Sequence, residues 1–155
     1  PAVDEALHKG PLTVQPNGVW FRPEGRNFIC GLSPEEHEEP TVFDWEMDHD
    51  FFDEKIWPAL AERVPKFEAI KVISSWVGHY DYNALDQNAI IGRHPQVTNL
   101  IFANGFSGHG FQQGPAAGNA VAELVMHGAY RTIDLTRFCY ERIGRNEPLF
   151  EKNVI

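Results

Sequence analysis

The stretch Asn99–Gly128 constrains this chain more than any other: a short apolar run, a glycine-rich turn, then a helical pattern. Leu100, Ile101, Phe102 and Ala103 form a continuous apolar run, as expected of a strand buried on both faces. Gly105, Gly108 and Gly110 follow, and each leaves no Cβ between the backbone and whatever sits against it. Pro115 has no N–H and suits the first turn of a helix, where amide hydrogens have no internal partner. Ala117, Val121 and Leu124/Val125 repeat at helical spacing, and Gly128 is a natural stop. Free N–H groups at such a helix start, approached over bare glycine backbone, suit an anion or a polarised ring carbonyl.

At 155 residues the chain is long enough for a real core, and its 43% hydrophobic and 23% charged residues describe a globular protein. A formal charge of −9 argues against a nucleic-acid surface. That excess is local. Ten acids and no Lys or Arg lie between Asn27 and Glu54, and the rest is nearly neutral, so the acidic tract reads as a solvated segment. No apolar run is long enough to span a bilayer. Cys30 and Cys139 lie far apart in apolar settings and read as two buried thiols. The chain opens on Pro1 without a methionine, so a fragment is expected, with any targeting segment outside it.

Residues 1–17, with three prolines, read as a leading segment holding at most one helical turn. Val19–Glu24 and Asn27–Leu32 flank Gly25-Arg26 as a β-hairpin, with Pro23 at an edge or strand end. Ser33–Pro40 is loop. Phe52, Ile56, Leu60 and Val64 mark an amphipathic helix with Asp50 as N-cap, kinked or split at Pro58 and ended by Pro65. His49 among Asp48, Asp50 and Asp53 is the acidic start of that helix, since no glycine sits where a calcium loop requires one. Ile70–Tyr82 reads as one long strand with Trp76 in the core, and Asn83–Asn88 as a turn into a short strand Ala89–Gly92. Arg93–Gln96 is a second turn. After Gly128 the chain is irregular, with one turn around Thr136–Arg142. The fold class is α+β with a mixed α/β sheet. A glycine turn between strand and helix belongs to a doubly wound sheet, yet too few parallel strands are present to make one.

Three chemistries compete for residues 105–118. A nucleophile elbow would use Ser107, but His109 stands where glycine belongs, and that fold needs an acid and then a histidine after the serine, whereas no histidine follows His127. A first dinucleotide finger departs from Gly-x-Gly-x-x-Gly at its last glycine, which is Gln113, and too little chain follows to wind further βαβ units. The third is the closing strand and helix of a flavoprotein.

Gly105-Phe-Ser-Gly-His-Gly-Phe111 resembles the C-terminal signature of the D-amino-acid oxidase and sarcosine oxidase family of FAD enzymes. Upstream, Gly78-His-Tyr-Asp and Asp86-Gln-Asn-Ala-Ile-Ile-Gly92 with His94-Pro95 are similar to that family's preceding strand pair, at the right spacing. An animal branch of the family is resembled more closely still, through Phe51–Pro58, Tyr80–Asn83, Gln112-Gln113, Thr132–Leu135 and Asn153-Val-Ile. The resemblance covers nearly the whole chain and implies the C-terminal part of a two-domain flavoprotein. Residues 1–98 would be partial substrate-domain strands and helix, 99–128 the closing strand and helix of the FAD domain, and 129–155 a tail.

By the same resemblance FAD is the cofactor, and His79, Phe106, Ser107, Gly108, His109, Gly110, Phe111 and Gln112 would contact it. His109 and Tyr80 would be the catalytic candidates. The amino-acid-oxidising relatives carry a lysine at the place of Gln112, and the covalent ones a flavin-linked cysteine near His79. Non-covalent FAD and an altered substrate clamp are therefore expected. The animal branch implies a mitochondrial location and a link to respiratory complex I assembly. It implies two kinds of partner: the remaining N-terminal part of the same protein, and complex I subunits. Two functions stay open on the sequence: an amine-oxidising enzyme, or an assembly factor whose flavin fold is a non-catalytic scaffold.

Overall fold

A computed structural model of the chain describes residues 5–35 and 43–150. It forms two compact units, Pro1–Gly78 and His79–Ile155. Parts of the acidic tract and of the loop Ser33–Pro40, and the final Asn153-Val-Ile, lie outside the described residues.

The first unit packs a three-stranded antiparallel sheet against a helical stretch. After a 3₁₀ turn at Leu7–Lys9, β1 (Thr13–Val14) pairs with β2 (Trp20–Glu24), which pairs in turn with β3 (Asn27–Gly31). The leading segment thus contributes a short strand that its prolines concealed. Gly25, at φ 58°, supplies the left-handed residue of the hairpin turn. Pro23 lies in the central strand, opposite Phe28, but beyond the reach of β1, which stops at the Thr13–Phe21 pair. Its missing N–H therefore breaks no ladder bond on that side.

Helix α1 (His49–Phe51) is capped by Asp48, whose carboxylate accepts the N–H groups of Asp50 and Phe51 at 3.0 and 3.2 Å. The cap is Asp48 and not Asp50, because Asp50 already lies in the first turn, where its own N–H is the donor. A π turn, Phe52–Ile56, closes with Trp57 N–H on the Phe52 carbonyl. Helix α2 (Trp57–Arg63) then restarts with Pro58 in its first positions. The wide turn is how the stretch accommodates a residue with no N–H to give. Val19, Phe21, Ile56, Ala59, Leu60 and Phe67 form the core, with Phe21 and Phe28 edge-on to Phe67 at 5.4 and 5.1 Å.

Residues Ile70–Tyr82 pair with no strand among the described residues. Their β-branched and aromatic composition fits an extended backbone, but a strand also needs a neighbour for its N–H and C=O groups. Trp76, expected in the core, is 68% exposed, and Val72 and Ile73 are exposed with it.

In the second unit β4 (Ile90–Arg93) and β5 (Ile101–Asn104) pair antiparallel, from Ile90–Asn104 to Arg93–Ile101. The sheets among the described residues are antiparallel throughout, so the architecture is α+β and the expected mixed sheet is not formed by these strands. β5 was expected to be buried on both faces. It is half-buried at Ile101 and Phe102 and exposed at Ala103 and Asn104, having a single neighbour. Helix α3 (Gly110–His127) buries Ala117, Ala120 and Leu124 and ends at Gly128, φ 73°, whose N–H donates to the Leu124 carbonyl. Pro115 sits one turn deeper than its chemistry prefers. Arg93 adds a guanidinium N–H to the same Leu124 carbonyl, favourable at the negative end of a helix.

Beyond α3 the chain is mostly irregular, with a 3₁₀ turn at Thr136–Phe138 and α4 (Glu141–Gly144). Glu123 on α3 fastens it by accepting from the N–H groups of Arg131 (2.6 Å) and Thr132 (3.1 Å), the Thr132 hydroxyl and Asn119 Nδ2. The Thr132 hydroxyl bond and the Arg131 amide lower its pKa from 4.5 to about 2. A carboxylate held low in the folded state stabilises above its unfolded pKa and loses that contribution as pH falls from about 4.5 toward 2. Glu123→Gln is expected to flatten the acid limb of a stability-versus-pH curve in that window, and an acid titration followed by far-UV circular dichroism, which reads the long helix α3, would check it. Cys30 and Cys139 are free, half-buried thiols, and burial pushes that of Cys30 up.

Candidate functional site

The glycine turn links β5 to α3 through residues that few side chains tolerate. Gly105 and Gly108 have φ of 72° and 94°, and Ser107 between them is itself left-handed at 47°. Strain of this kind persists only where neighbours over-determine it. Here the neighbours come from residues 81–83. The Gly105 N–H donates to the Asp81 carboxylate, and the Ser107 N–H donates to the Asp81 carbonyl at 3.0 Å. The Asn83 N–H donates to Ser107 Oγ at 3.0 Å, and that hydroxyl reaches the Gly105 carbonyl at 3.3 Å.

Behind this clamp lies a buried polar knot. Asn83 Nδ2 donates to Asp86 Oδ1 at 2.9 Å and to the Asn88 carbonyl at 2.7 Å. Asp86, 2% exposed, forms a two-point ion pair with Arg142, 4% exposed, at 2.9 and 3.1 Å. Arg142 also binds the carbonyls of Asn88 and Ala89, each at 3.0 Å, and those of Phe138 and Cys139. Burial pushes the Asp86 carboxyl up, but the Arg142 bonds and charge, with the Leu149 and Asn88 amides, hold it below its usual value. The knot fixes where Asn83, and through it the turn, can sit.

On the open side of the turn is the start of α3. His109 occupies the N-cap at φ −97° and ψ 3°, and its side chain does not cap the helix. The first intrahelical bond there runs from Gln113 N–H to the His109 carbonyl, 3.1 Å. The amides of Gly110, Phe111 and Gln112 precede it and have no acceptor within the helix. Phe111 is 97% exposed beside them, and Gln112 is exposed. The ring of Tyr80 lies over Gly108, where an added Cβ would meet it at 3.0 Å. The structure thus gathers Tyr80, the glycine turn, His109 and the α3 start.

Two of the sequence-derived cofactor contacts have their side chains turned into the protein. Ser107 is buried, its hydroxyl engaged by Asn83 and Gly105. Phe106 packs on the Ala89, Ile91 and Ala117 cluster. His79 is exposed. Sequence reasoning missed Asp81 and Arg142 as structural residues, because their partners lie 24 and 56 positions away.

An open helix end beside an exposed aromatic ring fits the carbonyl-bearing edge of a planar ring better than a compact ion. Residues 2–124 match the family described as FAD dependent oxidoreductase. The chain belongs to that family. It is 53% identical over 147 residues, 94% of its length, to FAD-dependent oxidoreductase domain-containing protein 1 of Xenopus laevis, and 53% identical over 149 residues to the protein of that name from Bos taurus. It spans about 30% of the length of these relatives. Among solved structures it is similar to L-proline dehydrogenase from P. horikoshii, with a TM-score of 0.76 and 26% identity, covering 85% of this chain and 34% of that one. The family's cofactor is FAD.

Fit to that cofactor rests on this chain's own atoms. A side chain at Gly108 would be strained at φ 94° and would press on Tyr80, so glycine there lets the Tyr80 ring close over the turn. Three amides aim outward from the positive end of an 18-residue helix. Those amides suit the carbonyl-bearing edge of a flavin ring. The pyrophosphate and adenine would need further backbone amides of the same kind, and the glycine turn supplies no second set.

Proposed function

We propose that this chain is the C-terminal portion of an FAD-dependent oxidoreductase that takes a hydride from the carbon bonded to nitrogen in an amine or amino acid, leaving a C=N bond. The carrying observation is the clamped glycine turn, which presents the Gly110, Phe111 and Gln112 amides from the start of α3. When bound, FAD supplies the hydride acceptor. The chain's residues supply the setting. The three amides and the helix dipole favour negative charge at the ring edge they face. Tyr80, His79 and Gln112 would line the substrate side, with His109 closing the turn.

FAD is held without a covalent link in this reading, since the flavin-linked cysteine of the covalent relatives has no counterpart at or beside position 79. Gln112 brings no charge, so a substrate carboxylate is not gripped there as a lysine would grip it. An anaerobic screen of amines against the longer protein, following loss of flavin absorbance, tests the reading; bleaching by a secondary amine or amino acid is expected. If the protein holds FAD and no amine reduces it, the second reading is left: a flavin fold kept as a scaffold, which the uncharged Gln112 favours. In either version we propose a mitochondrial protein that acts in respiratory complex I assembly, a reading supported by resemblance to the animal branch. Import of the tagged longer protein, with recovery of complex I subunits alongside it, would test that placement.

These residues expressed alone are expected not to retain FAD through gel filtration, because they contribute one edge of the ring site. A stoichiometric yellow preparation would count against this division of the cofactor.

A further inference from the structure

We infer that Asp81 is the positioning residue of this site: it fastens the Gly105–Gly108 turn and thereby aims the first amides of α3. The inference rests on the flavin reading above and gives Asp81, which lies in the upstream Gly78-His-Tyr-Asp stretch, a role that the resemblance did not assign. Asp81 grips the turn twice, with its side chain on the Gly105 N–H and its carbonyl on the Ser107 N–H. Those two amides bracket Phe106 and belong to two of the left-handed residues of the turn. Without an acceptor fixed at Asp81, Gly105 is the residue freest to change φ.

Tyr80 precedes Asp81, and its ring lies over Gly108. The clamp therefore sets the register between the segment bearing His79 and Tyr80 and the segment bearing His109 and Gln112. Its carboxylate also brings a negative charge close behind a helix start whose amides favour negative charge. The side chain then has two separable duties, acceptor and charge. An amide in its place keeps the first and removes the second.

The test uses the longer protein with Asp81→Asn and Asp81→Ala. Asp81→Asn is expected to keep wild-type FAD content and melting behaviour. Its bound flavin should become easier to reduce, by roughly tenfold in the equilibrium or about 30 mV for a two-electron couple. Asp81→Ala is expected to weaken FAD binding at least tenfold and to speed hydrogen exchange across the peptide holding Gly105 and Ser107, which Asp81→Asn should leave slow. Unchanged exchange and unchanged FAD affinity in Asp81→Ala would overturn the inference, as would an Asp81→Asn flavin with the wild-type potential. A wild-type protein that takes up no FAD would instead overturn the function proposed above, and exchange at Gly105 in Asp81→Ala would then decide the clamp by itself.

Discussion

Replacing Arg142 by alanine is expected to destabilise the second unit by about 3–5 kcal/mol, the usual consequence of stranding one partner of a buried ion pair. Asp86 would be left buried with only amide donors, and the carbonyls of Asn88, Ala89, Phe138 and Cys139 would each lose a bond. The carboxyl would then be driven toward its neutral form, so the loss should be smaller in acid, where Asp86 protonates, than at neutral pH. Denaturant melts of Arg142→Ala at both ends of the acid range check this. The double variant Asp86→Asn/Arg142→Met should lose less than the sum of the single changes, because no unpaired charge remains. Additive losses would mean that the two charges are not coupled in the fold.

This knot also marks where sequence reading stops. The β2–β3 hairpin, the Pro58 break and the Gly128 stop were legible because each is decided within a few residues: Gly25 allows the turn, a missing N–H forces the π turn, and a left-handed glycine ends α3. The candidate site was legible in part, since the spacing of Gly105, Gly108 and Gly110 belongs to one stretch of chain. Asp81 and Asp86 lie in stretches that carried the resemblance, but nothing local to them or to Arg142 told which groups they would hold. An acid two residues before Asn83 looks like any polar turn residue until the fold brings Gly105 against it. Ile70–Tyr82 failed differently. Its residues favour a strand, but pairing is a property of two segments, and none of the described residues supplies the second.

The glycines offer a second large effect, and one that separates strain from contact. Gly105→Ala is expected to cost about 3 kcal/mol, combining left-handed strain of about 1–2 kcal/mol with overpacking of similar size. The added Cβ would stand 3.2 Å from Asn83 Cβ, and Asn83 is buried and held on Asp86 and the Asn88 carbonyl, so it has little room to give. Gly108→Ala has comparable strain at φ 94°, yet its neighbour is the half-exposed Tyr80 ring, which can swing aside; about 1–2 kcal/mol is expected there. Tyr80→Ala should therefore recover none of the Gly105→Ala loss and only the small contact part of the Gly108→Ala loss. Gly118→Ala is the counter-case: in the middle of α3, with nothing within 4 Å of the new Cβ, it should stabilise by about 0.5–1 kcal/mol. Thermal melts rank the three. In the longer protein FAD retention should follow position and not stability: Gly118→Ala keeps it, whereas Gly105→Ala and Gly108→Ala lose it, because both displace the turn that carries the amides of Gly110, Phe111 and Gln112. A Gly105→Ala protein that melts early but binds FAD at wild-type strength would show that the turn supports the fold and does not position the cofactor.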